Sequence, residues 1–159
     1  MCAYMKGLHN DMKLVCLDGA TLYQVEPAAD ARWNALSAIC DCTIWERTAP
    51  EDVVARLGGA QMALTNKTVI DAAAIAQLPD LKYIGVLATG YNVVDIEAAR
   101  AAGITVTNIP AYSTASVAQH AIALLLAIVN RVETYASAVS RGQWTACRDF
   151  TFRIQDWQE

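Results

Sequence analysis

The feature that most restricts the fold of this chain is an alternation. Five apolar runs of four or five residues alternate with stretches that carry helix signals, and each run empties into a polar or glycine-bearing loop. Runs this short and this apolar suit strands buried on both faces, and strands alternating with helices assemble into a parallel sheet. The predicted strands are Lys13 to Leu17, Cys42 to Trp45, Gln61 to Leu64, Tyr83 to Leu87 and Ile104 to Thr107. Helices are predicted over Pro27 to Ile39, Ala49 to Leu57, Asp71 to Leu78 and Asp95 to Ala102. Pro50 and two acids open the second of these at the positive end of its dipole, and Gly58-Gly59 stops it. Pro79 stops the third, while the fourth has Asp95 as its N-cap and Gly103 as its stop signal. The expected fold class is α/β: a flavodoxin-like, doubly wound, parallel five-stranded sheet.

A long helix is predicted next, from about Thr114 to Val132. Ala118, Ala121, Ile122, Leu125, Ile128 and Val129 form its apolar stripe, and Ala123, Leu124 and Leu126 widen that stripe almost all round. A helix so apolar is expected to be covered on several sides by another domain or another subunit. Residues 1–11 show no apolar period and read as a leader or extension. The first strand begins immediately after Met12, so Met12 stands as an alternative start to Met1.

Composition narrows the class of protein. Apolar residues make up 55% and charged residues 18%, which excludes a disordered tail or a coiled coil. The net charge is −4 and no basic stripe occurs, so no nucleic-acid partner is expected. The longest apolar run, Ala121 to Val129, falls well short of the roughly 20 residues that span a bilayer. The start, Met1-Cys2-Ala3-Tyr4-Met5-Lys6, lacks the layout of a signal peptide. A cytoplasmic protein without membrane attachment is expected. The five cysteines, Cys2, Cys16, Cys40, Cys42 and Cys147, are odd in number, and two lie in apolar stretches, as reduced buried thiols do. Cys40-Asp41-Cys42 has no second pair and no nearby histidine, so it reads as structural, and no metal is expected.

In an open parallel sheet, ligands bind outside the carboxyl ends of the strands. Two of those ends carry useful chemistry. Ala88-Thr89-Gly90 is a loop of small residues whose backbone N–H groups can approach an anion without side-chain interference. Asn66 and Lys67 place an amide and a cation at a neighbouring strand end. Together they suit a small carboxylate with a polar group beside it. Spacing alone leaves the plainer reading open, with Gly90 a tight turn and Lys67 a solvated charge. His120 lies within the apolar helix with no acid at a supporting spacing, and His9 lies in the leader, so neither is expected to be catalytic. No GxSxG, HExxH, GxxxxGK[ST] or GxGxxG pattern follows any strand.

The run Leu81-Lys82-Tyr83-Ile84-Gly85-Val86-Leu87-Ala88-Thr89-Gly90-Tyr91-Asn92-Val93-Val94-Asp95 resembles the substrate-loop motif of the D-isomer-specific 2-hydroxyacid dehydrogenases. Val106-Thr107-Asn108-Ile109-Pro110 and Ser116-Val117-Ala118-Gln119-His120, with Leu124-Leu125-Leu126, resemble that family's entry into its coenzyme domain. Thr65-Asn66-Lys67-Thr68 and the Ala88-Thr89-Gly90-Tyr91 form of the loop are most similar to the glycerate dehydrogenases, or hydroxypyruvate reductases. Gln119 departs from the usual Glu, an isosteric change.

The resemblance implies that the amides of Ala88, Thr89 and Gly90 hold a substrate carboxylate and that Asn66 and Lys67 line the same pocket. It also implies that Val117 touches the nicotinamide side of NAD or NADP. Residues 12–112 then form the substrate-binding domain, and residues 113–132 a helix joining domains and packing in a homodimer. Residues 133–159 become the entry to a Rossmann domain, which in the family carries the GxGxxG loop and the catalytic Arg, Glu and His. The chain alone is therefore not expected to catalyse. The implied reaction interconverts D-glycerate and hydroxypyruvate, or a close pair of 2-hydroxy and 2-oxo acids. The competing expectation is a free-standing flavodoxin-like module that binds a small carboxylate or a protein partner without chemistry.

Overall fold

The computed structural model describes residues 12–22 and 31–150. The leader, Cys2, His9, the first residues of the predicted Pro27 helix and residues 151–159 lie outside the described residues. Five strands are present: β1 (Lys13–Cys16), β2 (Asp41–Ile44), β3 (Met62–Thr65), β4 (Tyr83–Val86) and β5 (Thr105–Thr107). They form one sheet in the order β2-β1-β3-β4-β5, and every pairing is parallel. The chain steps outward from β1 to β2, then crosses back to β3 on the other side of β1. The topological switch point therefore lies between β1 and β3, where the fold opens a crevice at the carboxyl ends.

Helix α1 (Ala31–Ser37) follows β1. Next come α2 (Val53–Leu57), α3 (Ala72–Ile75) and α4 (Ile96–Ala101). The Ala49–Leu57 prediction resolves into a single 3-10 turn, Pro50–Asp52, leading into α2. The proline fixes φ at the first helical position but lacks an N–H, and Asp52 N closes tightly on Ala49 O at 3.0 Å. α3 is shorter than Asp71 to Leu78 for a similar reason. Gln77 N reaches Ala74 O and Leu78 N reaches Ile75 O, so the last turn tightens before Pro79 ends it.

Side chains alternate across a strand, so the register sorts the sheet into two faces. Val15, Ala63 and Ile84 stand side by side on one face and join the core with Leu17, Val53, Leu57, Ile70, Leu78 and Val86. This is the face that α2, α3 and α4 cover. On the other face, Cys16, Leu64, Gly85 and Thr107 are neighbours. Leu22, Trp33, Leu36, Leu64 and Leu87 surround an apolar cavity of about 160 Å³ there. A Cβ on Gly85 would come 2.7 Å from Leu64 Cδ2 and 3.1 Å from the Tyr83 hydroxyl. Glycine thus lets the Tyr83 side chain lie across the strand and reach Thr107 Oγ1 at 2.7 Å.

The chain divides into two compact units between Ala111 and Tyr112. The second unit contains α5 (Thr114–Val129) and α6 (Val132–Ser140). The single helix predicted to Val132 is thus two helices, bent by 61°. Asn130 Nδ2 donates to Leu126 O at 2.9 Å, and Arg131 takes the left-handed conformation at φ 49°. A positive φ cannot continue a right-handed helix, so the axis turns there.

Candidate functional site

The loop leaving β4 is held by its neighbour from β5. Ile109 N donates to Ala88 O at 3.0 Å, Asn108 Nδ2 donates to Thr89 O at 2.8 Å, and Thr89 Oγ1 donates to Ile109 O at 3.1 Å. These bonds occupy the loop's carbonyls and its hydroxyl donor. The N–H groups of Ala88, Thr89 and Gly90 donate to no acceptor among the described residues. Three consecutive unused donors thus lie at the carboxyl end of a parallel strand. Gly90 does not adopt a positive φ, and a Cβ there would meet only Asn92 Oδ1, at 3.4 Å. The turn itself does not require glycine.

The loop leaving β3 is built differently. Strands in a sheet lie about 4.8 Å apart, and Thr65 pairs with Val86 in register, so this loop stands beside the first. The backbone amides of Asn66, Lys67 and Thr68 are all in use. Asp18, at the carboxyl end of β1, is 1% exposed. Its Oδ2 accepts from Lys67 N at 2.6 Å, Thr68 N at 2.7 Å and Asn66 N at 3.0 Å, and its Oδ1 accepts from Asn66 N at 2.9 Å. What this loop can offer a ligand is therefore its side chains. Lys67 is exposed and its ammonium has no partner among the described residues. Asn66 Oδ1 is a buried acceptor without a partner among them. The two loops are tied together farther out, with Ile70 N donating to Val93 O at 2.8 Å and Asp95 N to Ile70 O at 3.1 Å.

The first unit thus brings Ala88, Thr89, Gly90, Asn66 and Lys67 to two adjacent strand ends. Val117 belongs to the second unit, in the first turn of α5, and is 64% exposed. His120, on the same helix, is exposed. Sequence reasoning passed over Asp18 except as the end of a strand. Its signal was an acid immediately after the apolar run whose carboxyl end borders the switch point.

Among the thiols, Cys40 Sγ donates to Leu36 O at 3.4 Å, and burial pushes the Cys16 thiol up to about 12. Cys16, Cys40, Cys42 and Cys147 form no disulfide among the described residues. Among the described residues, no group of three or more His, Cys, Asp or Glu side chains is placed to hold a metal ion. Nor do the described residues fit a nicotinamide dinucleotide as a whole. Among the described residues no glycine-rich strand-to-helix turn is present to cradle a pyrophosphate.

The sequence model of the D-isomer specific 2-hydroxyacid dehydrogenase catalytic domain matches residues 21–148. The chain belongs to this family. A hydroxypyruvate reductase of Blautia hydrogenotrophica is 43% identical over 144 residues, covering 89% of this chain and 44% of that protein. A glycerate dehydrogenase of Methylorubrum extorquens is 45% identical over 103 residues, covering 65% of this chain and 33% of that protein. An acyclic imino acid reductase solved in complex with NADPH and D-Arg superposes with a TM-score of 0.69 at 25% identity, covering 82% of this chain and 41% of that one. The chain therefore spans less than half the length of the relatives it matches.

Proposed function

We propose that this chain supplies the substrate-binding part of an NAD(P)-dependent D-2-hydroxyacid dehydrogenase that interconverts D-glycerate and hydroxypyruvate. The observation that carries the proposal is that, among the described residues, the amides of Ala88, Thr89 and Gly90 and the Lys67 ammonium on the adjacent strand end have no partner. A 2-oxo or 2-hydroxy acid presents a carboxylate with a polar oxygen on the next carbon. Converging N–H donors and one nearby cation satisfy the carboxylate, and charge-assisted hydrogen bonds of this kind are roughly twice as strong as neutral ones. Asn66, on the same strand end as Lys67, is proposed to line the same pocket. The names of the two curated relatives support the choice of acid.

The chain's part is to bind and orient the acid. No proton or hydride step is assigned to its residues, and NAD or NADP belongs to the activity of the whole protein. Residues 113–132 are proposed to link domains and pack a homodimer, with residues 133–159 leading into the coenzyme domain. A cytoplasmic setting suits the free thiols, which persist in reducing compartments.

The test uses the full-length gene product that carries this chain, with NADH and NADPH oxidation followed against hydroxypyruvate and other small 2-oxo acids. Turnover highest with hydroxypyruvate is expected. Turnover on another 2-oxo acid alone would reassign the substrate, and none on any 2-oxo acid would defeat the proposal.

A further inference from the structure

We propose that Asp18 is a positioning residue. Its buried carboxylate sets the conformation of residues 65–68 and thereby holds Asn66 and Lys67 at the substrate site. The inference rests on the carboxylate-binding reading above and adds a residue to it. The topological switch point, between β1 and β3, is where a fold of this type leaves room for an anionic ligand. Here the anion is the protein's own. Three consecutive amides, those of Asn66, Lys67 and Thr68, converge on one side chain, and they come from 48 to 50 residues away in sequence. The Thr65 hydroxyl donates to Thr68 O at 2.7 Å and lies 3.3 Å from Asp18 Oδ2, closing the loop from its other side.

The geometry has two consequences. With the amides of residues 66–68 turned inward onto one carboxylate, the Lys67 side chain stands exposed. The loop, its amides filled, also cannot compete with residues 88–90 for a substrate carboxylate. The switch-point crevice is thereby closed to ligands, and the anion site moves one strand along, to β4. Without Asp18, three part-buried N–H groups lose their acceptor. An unsatisfied buried donor is costly enough that the loop would open toward water and carry Asn66 and Lys67 with it.

The test compares Asp18→Asn, the Asn66→Ala/Lys67→Ala pair and the combined triple variant in the full-length protein, with hydroxypyruvate as the varied substrate. Each of the first two is expected to raise KM about tenfold with kcat little changed, as loss of uniform binding does. The triple variant is expected to be no worse than the pair, because Asp18 acts through those side chains. Amide hydrogen exchange should speed up at Asn66, Lys67 and Thr68 in Asp18→Asn, while Ala63 and Ile84 keep wild-type protection.

If the pair raises KM and Asp18→Asn does not, or if the two effects multiply in the triple variant, the positioning role is overturned and the site reading survives. If the pair leaves KM unchanged, the positioning role falls with the placement of Asn66 and Lys67 at the site, and if wild-type protein turns over no 2-oxo acid, the site reading falls as well. Should Asp18→Asn fail to fold, Thr65 decides. Thr65→Val is expected to raise KM about threefold and Thr65→Ser to restore it, and an unchanged KM in Thr65→Val would overturn the role.

Discussion

At the scale of single residues, the site turns on what is left unbonded. Ala88, Thr89 and Gly90 keep three amides unused among the described residues, while Ile109 and Asn108 take up the carbonyls of Ala88 and Thr89. Gly90 is the position where this can be tested without disturbing the fold. Its backbone conformation is open to other residues, and a Cβ meets only one side-chain oxygen. Gly90→Ala is therefore expected to shift stability by no more than about 0.5 kcal/mol, as surface substitutions do. Gly90→Val, with two further carbons beside the amides, is expected to raise KM for the acid on the order of tenfold, or about 1.4 kcal/mol. Thermal melts and steady-state kinetics on the two variants separate fold from site, and a Gly90→Val enzyme with unchanged KM would remove the amides from the binding role. The sequence made this loop visible because a small, glycine-bearing segment directly follows an apolar run. It did not make Asp18 visible, since that role depends on burial and on partners far along the chain, and neither has a local pattern.

At the scale of elements, strand positions were legible to within a residue, because each short apolar run is bounded on both sides by polar or glycine-bearing loops. Helix ends were less so. The break between α5 and α6 was hidden because Val132 resumes the apolar pattern after Asn130-Arg131, and that pattern does not register a backbone that turns left-handed at Arg131. Caps, in contrast, were readable where a side chain makes them. Asp95 was predicted as the N-cap of α4, and its Oδ1 accepts from Ala98 N at 2.9 Å. The same device opens α3, where Asp71 Oδ1 accepts from Ala74 N at 2.8 Å. These helices span six and four residues, too short to persist without a cap and tertiary packing. Asp95→Ala is expected to lower unfolding free energy by about 1 kcal/mol, with an unchanged denaturant slope. Urea denaturation followed by circular dichroism measures both quantities. A variant as stable as wild type would mean that water replaces the cap without loss.

At the scale of the molecule, the first unit satisfies itself and the second does not. One sheet face packs sixteen buried residues into a continuous core, whereas α5 buries none of its sixteen. Val117, Ile122, Leu124, Leu125, Leu126, Ile128 and Val129 are each more than half exposed, and they run all round the helix. No single helix among the described residues is long and apolar enough to cross a membrane, and α5 with α6 passes that test only as a pair bent by 61°. Burying what remains exposed on these seven side chains stabilises by roughly 1 kcal/mol each. The total, about 7 kcal/mol, lies within the roughly 4–15 kcal/mol that association costs. Coverage by one modest contact would therefore be marginal, and a tight dimer needs both apolar sides of α5 engaged. The full-length protein is expected to sediment as a dimer that binds little hydrophobic dye. Ile122→Asp with Leu125→Asp, on one stripe of the helix, is expected to shift it to monomer. A wild-type protein that is monomeric at every concentration and silent toward the dye would show that α5 is covered from within its own chain.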